Sequence, residues 1–371
     1  MRKRSWLRWC IVGTTLFVAS VGGLGGEAAA QERPARVAAL TGALESTVVL
    51  TSNGGDYERV FTRVIGPMFQ KKYGTKLVFI PGVTSDIMAK LIAQKASPQI
   101  DVALMNMISY IQARHLNLLE PMDREAWTAR GELHDLAVRD GEFGAGWFTA
   151  WGLLYDREML EKRGMPVPPR SWLDLFDPKV ADCASLYGPV GSILPVTVLV
   201  VNRALGAKDD NVDPAFKKLG ELGAKLRNFP ASPAVMNDLF VQRTACLALN
   251  ANTISGPVLK SERPRVDWTC PKEGCMAQWA GHLPVRNAPH PKAAQVFANF
   301  LLTREVQEVL TRELPGTSPT NSQVKVPDQL RNEFKVLAGP EAFRSLQDAD
   351  WSRVVGETKR WVERWQREVQ K

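Results

Sequence analysis

The chain reads as an α/β protein of two lobes. Three observations predict this. Residues 47–80 form a strand–loop–helix–strand unit, the building block of a parallel sheet covered by helices. Apolar runs of strand length then alternate with helical patterns through residue 104, and again further on. The length of 371 residues is too great for one ordinary core, so the elements divide between two.

The unit opens with Val48-Val49-Leu50, a β-branched apolar run. Ser52-Asn53-Gly54-Gly55-Asp56 breaks it with turn formers and helix-capping residues. Val60, Phe61, Val64, Ile65, Met68 and Phe69 then mark one face of a helix that Gly74 ends. Lys76–Ile80 is the next strand, 85–96 a helix, Ile100–Leu104 a third strand with Asn106 just beyond its end, and 109–116 a helix. Phe148–Tyr155 reads as a strand leaving the first lobe. Ser171 caps a helical turn over Trp172–Phe176, which Pro178 ends. Ala184–Tyr187 is a strand whose end loop is Gly188–Ser192, and 193–204 a buried helix. Helices follow at 215–226 and 233–243, then the strand Cys246–Leu249, which runs out into Asn250-Ala251-Asn252. Leu283-Pro284-Val285 returns to the first lobe, helices occupy 291–302 and 304–312, and 351–369 is a long amphipathic helix. The expected limits are 31–148 for the first part of lobe 1, 149–282 for lobe 2, and 283–371 for the return and the C-terminal helices.

Residues 1–30 are expected to be a cleaved signal peptide. Arg2-Lys3-Arg4 precede an apolar stretch over 11–21 that is too short for a comfortable membrane span. Ala28-Ala29-Ala30 before Gln31 gives a small-residue cleavage site. Beyond Cys10 four cysteines remain, and an even number in an exported chain predicts disulfides. Turn formers between Cys270 and Cys275 favour a local bridge, which would leave Cys183 with Cys246, though three pairings are open. The formal charge of +8 is spread among acids with no aromatic-interleaved basic block, so nucleic acid is not an expected partner.

The usual catalytic signatures are missing. There is no P-loop, no His-Glu-x-x-His and no G-x-S-x-G. The four histidines stand apart from one another and from the cysteines, so neither an enzyme, a metal centre nor a cofactor is expected. What recurs is small polar residues where strands end: Ser52, Asn53 and Gly54, then Asn106, then Gly191 and Ser192, then Asn250 and Asn252. In α/β sheets ligands gather at the carboxyl ends of strands. Neutral hydrogen-bonding groups converging there make a binding site without catalysis.

Several strings carry a resemblance. They are Gly66-Pro67-Met68-Phe69 with Lys72-Tyr73-Gly74, Leu118–Asp123, Gly152–Asp156, Pro169–Pro178, Pro271-Lys272-Glu273-Gly274, and Asn287–Pro291 with Ala298–Leu302 and Gln307. Together they resemble the extracellular solute-binding proteins of ABC importers, in the branch with polyamine- and ferric-iron-binding members. The resemblance runs from about Thr47 to Asn321. It implies a periplasmic-binding-protein fold: two lobes, each a mostly parallel sheet flanked by helices, hinge crossover strands between them, and closure on a ligand. It also implies a periplasmic location, docking on a membrane permease as a monomer, and a place for Glu273 and for Trp151 (or Trp147) at the ligand. A ligand module of an exported sensor is the rival with the same fold.

Departures from the pattern narrow the ligand. Polyamine binders of this family carry acids on the loop matching Gly188–Ser192, and Trp and Asp after the string matching Pro271–Gly274. Here those later positions approximate to Gln278 and Ala280. Iron binders carry adjacent tyrosines where Asn250-Ala251-Asn252 stands. An ammonium without a carboxylate and Fe³⁺ without anionic oxygens are both costly to bury. The expected ligand is therefore a small neutral, zwitterionic or anionic organic solute.

Overall fold

A computed structural model describes residues 43–226 and 229–370. The expected signal peptide, its expected cleavage site and Cys10 lie outside the described residues. The strands are β1 (Thr47–Ser52), β2 (Lys76–Pro81), β3 (Val102–Asn106), β4 (Val138–Arg139), β5 (Phe143–Gly144), β6 (Trp147–Asp156), β7 (Ala184–Ser185), β8 (Leu247–Ala251), β9 (Val266–Thr269), β10 (Met276–Pro284) and β11 (Ser318–Pro319). Nine form one sheet whose main path is β2-β1-β3-β10-β6-β8-β7, with β9 and β11 also on β6. Parallel pairing holds at each end, β1 with β2 and β3, and β7 with β8. The two long strands between them, β10 and β6, run antiparallel to each other and to their other neighbours. This is the α/β arrangement expected: two parallel ends with helices around them, joined through crossover strands.

The predicted helices form because their apolar faces have somewhere to go. Phe61 and Phe69 on the first helical stretch pack under β1 against Phe297 and Phe300, with Phe69 and Phe297 meeting edge-to-face at 4.8 Å. Truncating a buried phenylalanine of this kind costs about 3–5 kcal/mol. The helix Ile193–Ala204 buries all but its last two residues, as its unbroken apolar sequence requires. The helix Trp351–Glu368 buries Trp351, Val354, Trp361 and Trp365. These face the helices Met107–His115, Ile193–Ala204 and Asp213–Gly223. Gly220 makes that approach possible, since a Cβ there would sit 2.6 Å from the Glu368 carbonyl.

Three elements differ from the sequence expectation. The first helix is not uniform: Phe61–Ile65 is a π-helical turn between Asp56–Val60 and Gly66–Tyr73. Pro67 has no N–H and its ring would collide with the carbonyl four residues back. The widened turn, with the Gly66 N–H donating to Phe61 O, absorbs that conflict. A helix over Asn252–Glu262 follows β8 where no helix was expected, because Gly256-Pro257 reads as a breaker. Third, β10 covers nine residues rather than three. Its alternation is hidden because His282, Leu283 and Pro284 are all buried.

Both disulfides pair as the local-bridge reading implies. Cys183 and Cys246 lie with Cα atoms 5.2 Å apart, tying the residue before β7 to the residue before β8. Cys270 and Cys275 lie 5.3 Å apart across the β9–β10 turn.

Candidate functional site

The crossover strands form the floor of a cleft of about 740 Å³. Side chains alternate along a strand, so Trp147, Thr149 and Trp151 of β6 share one face, as do Gln278 and Ala280 of β10. Register sets Gln278 opposite Thr149, and places Ala280 between Trp147 and Asn106. The walls come from carboxyl ends of strands and the helix starts that follow them, as expected for such sheets. Asn53, Asp56 and Tyr57 follow β1, Thr84 follows β2, and Leu104 and Asn106 end β3. Opposite them stand Val190, Gly191, Ser192 and Ile193 after β7, Pro233, and Thr253 and Ile254 after β8. Glu313, Leu314, Pro315 and Thr317 close one rim.

Gln278 joins floor to wall. Its Oε1 accepts from Trp151 Nε1 at 2.8 Å and from the Ser192 hydroxyl at 3.4 Å, and its Nε2 donates to Ser192 O at 3.4 Å. The Thr253 hydroxyl reaches Thr149 Oγ1 at 3.4 Å. Asn106 Oδ1 accepts from Ser109 N–H in a capping box, which fixes the side chain at the cleft while its amide nitrogen takes no part in the box. Three helices of eight residues or more start at the cleft with no side chain capping their first N–H groups: Thr84–Ala93, Ile193–Ala204 and Asn252–Glu262. Such ends hold ligand oxygens well. Burial pushes the Tyr57 hydroxyl up to about 12, so it stays a donor.

Of the expected site residues, Asn53, Asn106, Trp151 and Ser192 line this cleft together. Ser52, Gly54, Asn250, Asn252 and Glu273 are not among its lining residues. Ser52 is buried and its hydroxyl meets His282 Nε2 at 2.9 Å. Asn250 Oδ1 accepts from the Tyr187 hydroxyl and Ala251 N–H, and Nδ2 donates to Asn237. Asn252 Oδ1 accepts from Ala150 N–H and Nδ2 donates to Lys335 O, so it fastens its helix to β6. Glu273 accepts from the Ser171 hydroxyl and Trp172 N–H, bracing the 3₁₀ turn at Trp172–Phe176. Asp56, Tyr57, Thr84, Thr149, Thr253 and Glu313 are cleft residues that sequence reasoning missed. Thr149 had a usable signal, the period-2 spacing from Trp147 and Trp151, and Thr84 stands just after a strand. Nothing local marks Glu313, which reaches the cleft only through the tertiary fold.

Among the described residues, no helix is long and apolar enough to cross a membrane, and no group of three or more histidines, cysteines or acids is placed to hold a metal ion. Comparison with solved structures finds the same fold widely. An ABC transporter protein from Clostridium perfringens is 21% identical, with a TM-score of 0.77, covering 87% of this chain and 99% of that one. A periplasmic binding protein of Agrobacterium tumefaciens, AttC, solved open and unliganded, is 19% identical with a TM-score of 0.72, covering 88% and 100%. The spermidine/putrescine substrate-binding protein of Streptococcus pneumoniae is 14% identical with a TM-score of 0.69, covering 86% and 99%. The family model described as bacterial extracellular solute-binding protein matches residues 91–339, two thirds of the sequence and every crossover strand of the cleft floor, and the chain belongs to that family.

Proposed function

We propose that the mature protein is the exported receptor of an ABC importer, capturing one small organic solute in this cleft and delivering it to a membrane permease. The observation that carries the reading is the convergence of Asn53 and Asn106 from one end of the sheet with Ser192 and Thr253 from the other, over the floor made by β6 and β10. A solute touching both walls binds the closed arrangement better than the open one and so shifts the population toward it. Bending of the two crossover strands is the simplest hinge. The proposed lobe limits stay as read from the sequence, 31–148 and 149–282 with the return from 283, and put the crossing between lobes at β6 and β10. The segment after 321 packs on both sides of the hinge, through the helices Asp328–Phe334 and Trp351–Glu368. The role is binding without chemistry, with residues 1–30 removed on export, and with permease and solute as the partners of a monomer.

A thermal-shift screen across solute classes tests the reading. A solute at one hundred times its Kd should stabilise the protein by about 2.7 kcal/mol. Ser192→Ala and Asn106→Ala should each weaken that solute by roughly 5- to 150-fold, since removing a hydrogen bond in a dry site costs about 1–3 kcal/mol. Unchanged affinity in both variants would place the solute elsewhere.

A further inference from the structure

Behind the cleft floor the C-terminal segment makes a further connection between the lobes. Side chains alternate along β10, so with Gln278 and Ala280 on the cleft face, Trp279 points the other way. The Tyr110 ring of lobe 1 meets Trp279 edge-on at 4.9 Å, and the Arg139 guanidinium lies 5.5 Å over it. The segment after Phe334 is tied to the same place. It leaves lobe 2 at Lys335, whose Nζ is 2.9 Å from Asp267 and whose carbonyl accepts from Asn252 Nδ2 at 2.9 Å. Phe343 then stacks on His134 of lobe 1, ring centroids 4.0 Å apart. Gln347 is fastened to lobe 2 and the hinge strand. Its Oε1 accepts from Arg203 at 3.0 Å, its N–H donates to Cys275 O at 2.7 Å, and its carbonyl accepts from Ala277 N–H at 2.8 Å. Asp348 reaches both lobes. Its Oδ2 accepts from Arg139 of lobe 1 at 3.1 Å, while its carbonyl accepts from Arg203 of lobe 2 at 2.9 Å and its Oδ1 from Trp351 Nε1 at 2.8 Å. The helix Trp351–Glu368 then anchors on lobe 2, where Arg364 pairs with Asp213 at 2.7 Å and covers the Phe216 ring at 4.0 Å.

Lobe 2 thus holds the segment, and the Arg139–Asp348 pair joins it to lobe 1 on the side of the hinge away from the cleft. The cleft itself is open: among the described residues no hydrogen bond or ion pair joins a wall residue of one lobe to a wall residue of the other. Rotation about the floor strands that brings the walls together drives groups behind the floor apart. We propose that Arg139 and Asp348 form a latch behind the hinge that favours the open state, so that these two positioning residues set solute affinity without touching the solute. The inference rests on the cleft being the solute site and closing at β6 and β10. A receptor that is binding-competent for only a fraction of the time has its affinity reduced by that fraction, so a latch on the open state weakens binding.

Pulsed EPR on the solute-free mature chain reads the closed fraction. Nitroxides are attached at Val83→Cys and Val235→Cys, exposed positions beside Thr84 and Pro233 on opposite walls, with both native disulfides kept. Arg139→Gln and Asp348→Asn should each raise the ratio of short to long distances about 2- to 5-fold, as loss of a partly exposed ion pair implies. Asp348→Asn conserves shape and keeps an acceptor for Trp351. Arg139→Glu sets like charges across the latch and should shift the distribution further the same way. Arg139→Lys keeps the pair and should stay near wild type. A merely structural role would broaden the distribution and lower the urea midpoint without shortening the distance. That result, an unchanged distribution in Arg139→Glu, or lengthening in Arg139→Gln or Asp348→Asn overturns the latch. Because no solute is present, such a failure leaves the solute-site reading standing. That reading fails separately, on unchanged affinity in Ser192→Ala and Asn106→Ala.

Discussion

His282 gives the sharpest stability prediction. It lies on β10 behind the cleft floor, 5% exposed, with Nε2 on the Ser52 hydroxyl at 2.9 Å and the Phe61 ring 4.8 Å away edge-on. No carboxylate is bonded to it, and burial pushes its pKa from 6.5 down to about 3. The unfolded chain therefore takes a proton on this histidine below about pH 6.5 while the folded chain refuses it down to about pH 3. Stability contributed here is complete above pH 6.5 and falls as pH falls, at about 1.4 kcal/mol per pH unit across that window. At pH 4.5 this amounts to ~3 kcal/mol, a large part of the ~5–15 kcal/mol that holds a typical domain. Urea unfolding of wild type and His282→Gln from pH 4 to 8 measures it. The variant keeps a side chain able to bond Ser52, so it should lose about 1–3 kcal/mol at pH 7 yet show a shallower decline in acid, by nearly one proton. Equal slopes, or an NMR titration of His282 in the folded protein near pH 6.5, would refute the reasoning.

Other outcomes follow from the same structure. Removing the Cys183–Cys246 bridge by Cys183→Ser with Cys246→Ser opens a loop with a separation of 63 residues and should lower stability by about 4 kcal/mol on chain-entropy grounds; an unchanged denaturation midpoint would contradict it. Asn250→Ala, which breaks the bonds to Tyr187 and Asn237, should cost about 1–3 kcal/mol of stability and leave solute affinity within twofold of wild type, the reverse of Ser192→Ala. The exported protein should begin near Gln31, which N-terminal sequencing checks directly.

The elements were legible wherever one face of a segment met one periodicity. The first strand and helix, the buried helix at Ile193–Ala204 and the amphipathic one at Trp351–Glu368 all announce their burial in their spacing. What stayed hidden has physical reasons. The strand β10 is buried on both faces over its last four residues, so no alternation marks it. The helix Asn252–Glu262 keeps Pro257 because packing against Trp268's strand and Phe334's helix outweighs a local breaker. Strand-end polarity located the cleft to within a residue or two but did not say which neighbour faces it. Asn53 and Ser192 line the cleft while Ser52 and Asn250 face inward to His282 and Tyr187 respectively, and that choice is made by the pleat and by tertiary partners. Glu313 and Asp56 come together from elements 257 positions apart in number, beyond the reach of local pattern.

The most direct measurement is a crystal structure of the mature protein with the solute that stabilises it most in the thermal screen. The account predicts that solute in the cleft, in contact with Asn53 or Asn106 on one wall, with Ser192 or Thr253 on the other, and with Trp151 or Gln278 beneath. It also predicts walls closer together than in a crystal of the same protein grown without solute. A stabilising solute bound outside this cleft, or one held in it by a single wall with no closure, would contradict the account.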